Sequence, residues 1–184
     1  MIPSFNASGA LPPFVGREAT DRTGSSPYGT SASEVLSQLG HTLERRQLIA
    51  GLLAYRKALR AIGIVDGYQL IDGSFTEDCE TVRGRPPDDI DLVTYAKLPV
   101  AQTDVPPFMR SNMGVFNPNM TKASFSCHAF FIDLGKPPAL LVEDTTYWFG
   151  LFSHQRVTAL WKGMIKLPLA SDDDVVANIL AASP

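Results

Sequence analysis

Two short segments of this 184-residue chain carry residues whose types and spacing could do chemistry. Asp72-Gly73-Ser74-Phe75 closes one apolar run, and Asp88-Asp89-Ile90-Asp91-Leu92 opens another. A strand that ends in Gly-Ser can present backbone N–H groups and a hydroxyl to a phosphate, because glycine lets the main chain approach closely. Asp89 and Asp91 stand two residues apart, so on a strand both carboxylates project from one face. Like charges held together repel, and a divalent cation between them reverses that. Hard carboxylate oxygens suit Mg²⁺ or Mn²⁺, ions that also take substrate phosphates as ligands. The two segments together predict a nucleotide-phosphate site, with Gly73 and Ser74 on the triphosphate and Asp89 and Asp91 on the metal.

Further phosphate contacts are expected from cations elsewhere: Arg83 and Arg85 in the loop between the segments, Lys162 near the C-terminus, and His154 with Arg156 at a helix end. His41 fits an interhelical turn. Asp172, Asp173 and Asp174 fit the acidic first turn of a helix.

The elements that must position these residues follow from local pattern. Residues 1–30 are rich in Gly, Pro, Ser and Thr and predict an extended arm, which Leu11, Phe14 and Val15 could pin to the body. A short helix starts at a Ser31 or Ser33 cap and ends at Gly40. A longer one runs from Thr42 to Ala61, its apolar stripe read through Leu43, Gln47, Ala50, Leu53 or Ala54 and Ala58, and widened by Leu48, Ile49, Leu52 and Leu59. Tyr68–Asp72 and Asp89–Tyr95 read as strands, Ser124–Leu134 as a third and Lys162–Leu167 as a fourth. The Pro-rich residues 96–122 are expected to be irregular with a short helix. Asp144–Thr158 reads as a helix whose core face is Tyr147, Trp148, Phe149 and Phe152, and Ser171 as the cap of a last helix. The fold class is therefore α/β (α+β): an arm over 1–30, then one domain over 31–184 with a small mixed sheet of about four strands flanked by helices.

Gly73-Ser74 followed by Asp89-Ile90-Asp91 resembles the nucleotidyltransferase superfamily, the polymerase-β-like fold. Within it the chain is similar to an uncharacterised bacterial family with four shared segments: Leu11-Pro12-Pro13, Asp72 to Phe75, Pro87 to Asp91, and Tyr147 to Gly163 (YWFGLFSHQR…KG). The resemblance implies transfer of an NMP from an NTP to a hydroxyl on a protein, a small molecule or RNA, with Mg²⁺ as cofactor. It also implies a third metal ligand from a later strand, which would help activate the acceptor hydroxyl. Asp133 is the one acid on the third strand, and His128 is the other candidate. An odd number of residues separates them, so a regular strand turns them to opposite faces. If the ligand is His128, a neutral imidazole replaces a charged oxygen and Mg²⁺ binding weakens.

Composition narrows the partners. Sixteen basic residues against nineteen acidic give a net charge of -3, which excludes a global basic footprint, and no DNA partner is expected. The first 63 residues carry seven basic and four acidic side chains, so the acidic excess lies wholly in the remainder. Two cysteines, Cys79 and Cys127, make no disulfide framework and suit a cytoplasmic location. No apolar run approaches the roughly 20 residues of a membrane span, and the N-terminus lacks the pattern of a secretory signal. The alternative to an enzyme is a catalytically inactive nucleotide-binding or protein-interaction module, as in a bacterial defence or toxin–antitoxin pair. RNA binding through the Arg45–Arg60 helix is a weaker reading, since its charge is sparse.

Overall fold

The computed structural model describes residues 1–182. Five strands form one mixed sheet: β1 (Tyr28–Gly29), β2 (Gly67–Asp72), β3 (Ile90–Ala96), β4 (Cys127–Asp133) and β5 (Ile165–Pro168), in the order β1-β5-β2-β3-β4. β2 runs antiparallel to both neighbours, whereas β3 with β4 and β1 with β5 are parallel pairs. The helices are α1 (Ala32–Leu39), α2 (Leu43–Ala61), α3 (Cys79–Arg83), α4 (Val105–Ser111), α5 (Met113–Phe116), α6 (Pro118–Phe125), α7 (Pro138–Phe152) and α8 (Asp173–Ala182).

The expected α+β class holds, with a fifth strand. That strand comes from the arm, which is an integral part of the fold. Tyr28 and Gly29 pair with Ile165 and Lys166 at the sheet edge, and Ile2, Ala10 and Leu11 are buried. The proline-rich stretch holds three short helices where one was expected. Asn117 caps α6 by accepting from the N–H groups of Asn119 and Met120, with Pro118 in the first helical position. Its last residues displace the start of β4 from Ser124 to Cys127. α7 starts at Pro138, six residues before the expected Asp144, because Pro137-Pro138 sets the helical entry.

Alternation along the strands sorts the two faces. Ile71, Ile90, Leu92, Ala129, Ile165 and Leu167 pack beneath α2 in the larger cluster. Leu70, Val93, Tyr95, Ile132 and Met164 face the other way, against Phe152 and Trp148 of α7. Tyr147 and Phe149, expected in the core face of that helix, are instead 63% and 40% exposed.

α2 is rotated relative to the stripe read from its aliphatic residues. Its buried face is Arg45, Leu48, Ile49, Leu52, Leu53, Tyr55, Arg56 and Leu59, while Leu43 is largely exposed. The period is helical, but two buried arginines belong to it, which a hydrophobicity pattern scores as polar. Arg56 donates to both oxygens of Asp173 at 2.8 and 2.9 Å, and Arg60 reaches the same carboxylate at 2.6 Å. Asp173 therefore ties α8 to α2. Ser171 and Asp172 also differ from expectation: they accept from the N–H groups of Ala32 and Ser33, and so cap α1 across the chain.

Candidate functional site

The register of three neighbouring strands brings Asp72, Asp91 and His128 into one row. Asp72 pairs with Asp91 across β2 and β3, and Asp91 with His128 across β3 and β4. They share parity with Leu70, Val93 and Phe130, so the row lies on the α7 face at one end of the sheet.

Gly73 turns the chain out of β2 at φ +75°, into a single 3-10 turn over Gly73–Thr76. A Cβ at this position would collide with Asp91 Oδ2. The glycine is thus needed twice, for its left-handed backbone and for the close approach to the carboxylate. The other Asp91 oxygen, Oδ1, is 3.1 Å from His128 Nδ1. Ser74 is half-buried in the turn, and its carbonyl accepts from the Glu77 N–H. Gly73, Ser74, Asp91 and His128 are therefore assembled together.

Asp89 precedes the first residue of β3, and its carboxylate is held by the Lys122 ammonium of α6 at 2.7 Å. Asp89 raises the lysine above its usual range, and Asp91 and Asp88 add to the effect. Lys122 was not legible as a site residue, although Asn117-Pro118 is a helix-start signal that places it on the turn leading into β4.

Asp133 is not part of this site. It pairs with Ala96 at the opposite end of the same strands, where its Oδ1 accepts from Leu98 and Gly135 N–H groups at 3.2 and 2.9 Å. Strand parity and length exclude it, and His128 stands in the row instead. Arg85 also lies apart, paired with Asp88 at 2.8 Å on an exposed loop. His154 is exposed, with Nδ1 3.0 Å from the Gly150 carbonyl.

Lys162 reaches the site as a support. It is 2% exposed, and its ammonium donates to the Gly73 carbonyl at 2.8 Å and to Glu77 Oε1 at 3.0 Å, with Asp72 Oδ1 also 3.0 Å away. All its donors point inward, so it braces the turn and does not face a phosphate. Burial pushes the Asp72 carboxyl up to about 6, against the pull of Lys162 and the Gly73 N–H. Arg45 braces the same turn from α2: it is fully buried, donates to the Phe75 carbonyl at 2.9 Å and grips Glu80 with two nitrogens at 2.7 and 3.0 Å. A third brace is the arm. The Leu11 N–H donates to the Thr76 carbonyl at 3.2 Å, and the Leu11 carbonyl accepts from Gly163 at 2.8 Å. A side chain on Gly163 would strike the Pro12 carbonyl. Leu11-Pro12-Pro13, the Gly-Ser turn and Lys162-Gly163 are one structural unit.

Among the described residues, no group of three His, Cys, Asp or Glu side chains is arranged to hold a metal ion. No helix among them is long and apolar enough to cross a membrane. Comparison with curated proteins and with solved structures gives no match. A family model, in contrast, matches residues 3–168, a span that includes the arm, the Gly-Ser turn, Asp89, Asp91, His128 and Lys162. The chain belongs to a family of unknown function, DUF6932.

Proposed function

We propose that this protein binds the phosphates of a nucleoside triphosphate at the Gly73–Ser74 turn and transfers the NMP to a hydroxyl acceptor, as a nucleotidyltransferase-like enzyme. In that step the acceptor oxygen bonds to the α-phosphorus, the bond from that phosphorus to the β-phosphate oxygen breaks, and pyrophosphate leaves. The observation that carries the reading is the packing of Gly73 directly on Asp91, which puts a glycine-serine turn and a carboxylate against one another at a strand end. Three buried braces hold that turn rigid, and rigid placement is what phosphoryl-type transfer asks of a protein.

Among the described residues no three metal-ligating side chains converge, so a divalent cation would have two protein carboxylates at most. Asp89 and Asp91 offer two carboxylates, and Mg²⁺ or Mn²⁺ ordinarily completes its shell with substrate phosphates and water. Such an ion would neutralise charge developing on the phosphates. Within the chain, Lys122 is the counter-ion of Asp89, and Asp91 lies against the His128 imidazole. With Nδ1 turned to Asp91, His128 keeps Nε2 for the acceptor, where it can take the hydroxyl proton as a general base.

The same partners favour a second reading. Since Asp89 is already charge-paired and Asp91 is already engaged by His128, the site can hold a nucleotide without turning it over, as a binding module. Incubation with each α-³²P-labelled NTP and Mg²⁺, across protein, RNA and small-molecule acceptors, separates the two. Label transfer that disappears in Asp89→Ala/Asp91→Ala supports the enzyme. Saturable NTP binding with no transfer to any acceptor supports the module, and no binding at all rejects both.

A further inference from the structure

We infer that the nucleobase of the bound nucleotide occupies a small cavity between the N-terminal arm and the Lys162 segment, and that Trp161 is its stacking surface. The inference rests on the nucleotide reading above and names a ligand part which that reading leaves open. The cavity encloses about 190 Å³ and is lined by Phe14, Ser25, Ser26, Phe149, Trp161 and Lys162, among others. That is well below the roughly 300–1,000 Å³ of sites that surround a whole drug-sized ligand, and it suits one flat ring system.

Three observations point to a base. First, the walls are aromatic. Trp161 is 48% exposed although it packs on Phe14 with ring centroids 5.9 Å apart and planes inclined by 48°. A half-covered indole beside a tilted ring leaves a π-face for a further planar group. Second, the cavity adjoins the phosphate turn. Lys162 lines it, and the same side chain ends on the Gly73 carbonyl. One lysine side chain therefore links the cavity wall to the turn. Phe149, another wall, belongs to α7, the helix on the Asp91 face. Third, a hydroxyl in the wall is free to accept. Ser25 Oγ donates to the Asp21 carbonyl at 2.6 Å, while Ser26 Oγ accepts from Met164 N–H at 2.9 Å and lies 3.5 Å from the Met164 carbonyl. The lone pairs left on Ser25 suit an amino-bearing base such as adenine over uracil.

The test compares ATP, UTP and inorganic tripolyphosphate by titration calorimetry on the full chain, with and without Mg²⁺. The expected order is ATP tighter than UTP, and UTP tighter than tripolyphosphate. Trp161→Ala should weaken ATP about tenfold or more, the loss of one stacked base, and leave tripolyphosphate unchanged. Trp161→Phe should recover most of the difference, which separates lost stacking from lost folding. Equal affinity for ATP and tripolyphosphate in the wild type, or an ATP affinity indifferent to Trp161→Ala, overturns the base cavity and leaves the phosphate turn standing. Failure of all three ligands to bind the wild type overturns the phosphate reading and the cavity with it.

Discussion

Gly73 and Asp91 touch so closely that neither can be considered alone. The glycine has φ +75° and no room for a Cβ against the Asp91 carboxylate, whereas Gly84, at φ +65°, has nothing within 4 Å. The pair of substitutions to alanine separates the two demands. Gly84→Ala bears only the left-handed backbone and should lose about 1 kcal/mol of stability. Gly73→Ala bears that strain and a displaced Asp91, and should lose about 2–4 kcal/mol and also abolish nucleotide binding. Urea unfolding and calorimetry on both variants check this; equal losses would mean that Asp91 moves aside freely. Aspartates on this strand end are not simply repelling charges in need of a metal. Asp89 has Lys122, Asp91 has His128 and Asp72 has Lys162, each within 3.1 Å. The chain supplies a nitrogen to each of these acids, so a metal ion competes with fixed nitrogens for the carboxylates.

At the scale of elements, the arm has the most to explain. Leu11 is fully buried and its main chain bridges the Gly-Ser turn to Gly163. Leu11→Ala should cost about 2–5 kcal/mol, the range for a buried leucine truncated in a packed site. Because Leu11 braces the turn, the same variant should also weaken nucleotide binding, measured after correction for the folded fraction. β2, β3 and Ser31, one of the two cap candidates for α1, were legible, since strand alternation and side-chain capping are local signals. Thr42, read as the first residue of α2, is instead its cap. Gly73, Ser74 and Asp91 were legible for the same reason: their spacing brings them to strand ends. What escaped is non-local. Arg45 and Arg56 fall outside the apolar stripe as read, because the acids that make them buriable, Glu80 and Asp173, lie far along the chain. Lys162 read as a phosphate contact, and Asp133 as a metal ligand, because neither the inward turn of a lysine nor the end of a strand to which an acid belongs is written in nearby residues. The arm read as a loose extension because its partners, β5 and Thr76, are distant in sequence.

Across the whole molecule, buried ion pairs tie together parts that the aliphatic core alone would leave independent. Arg56 and Asp173 join α2 to α8, Arg45 and Glu80 join α2 to α3, and Lys162 joins the β5 approach to the Gly-Ser turn through Asp72 and Glu77. Such networks stabilise little relative to apolar packing but are costly to break from one side. They also make stability depend on pH. The folded Asp72 carboxyl titrates near 6, above its ordinary 3.8, because burial disfavours its charge more than Lys162 restores it. Between those two values the folded chain holds a proton that the unfolded chain has released. Stability contributed by Asp72 is therefore present at low pH and lost as pH rises through about 6. Asp172, lowered to about 2 by the Ser33 and Ser171 hydrogen bonds, acts oppositely: its contribution is present above its ordinary value and lost as pH falls toward about 2. The two windows meet near pH 4, so above it the Asp72 effect can be read free of the Asp172 one. Asp72→Asn removes the titrating group and keeps an oxygen for Lys162. Urea midpoints measured from about pH 4 to about pH 7 should therefore fall in the wild type relative to the variant, with the difference flattening above about pH 6. A constant difference across that range would mean that Lys162 fully offsets burial and that Asp72 is ionised throughout.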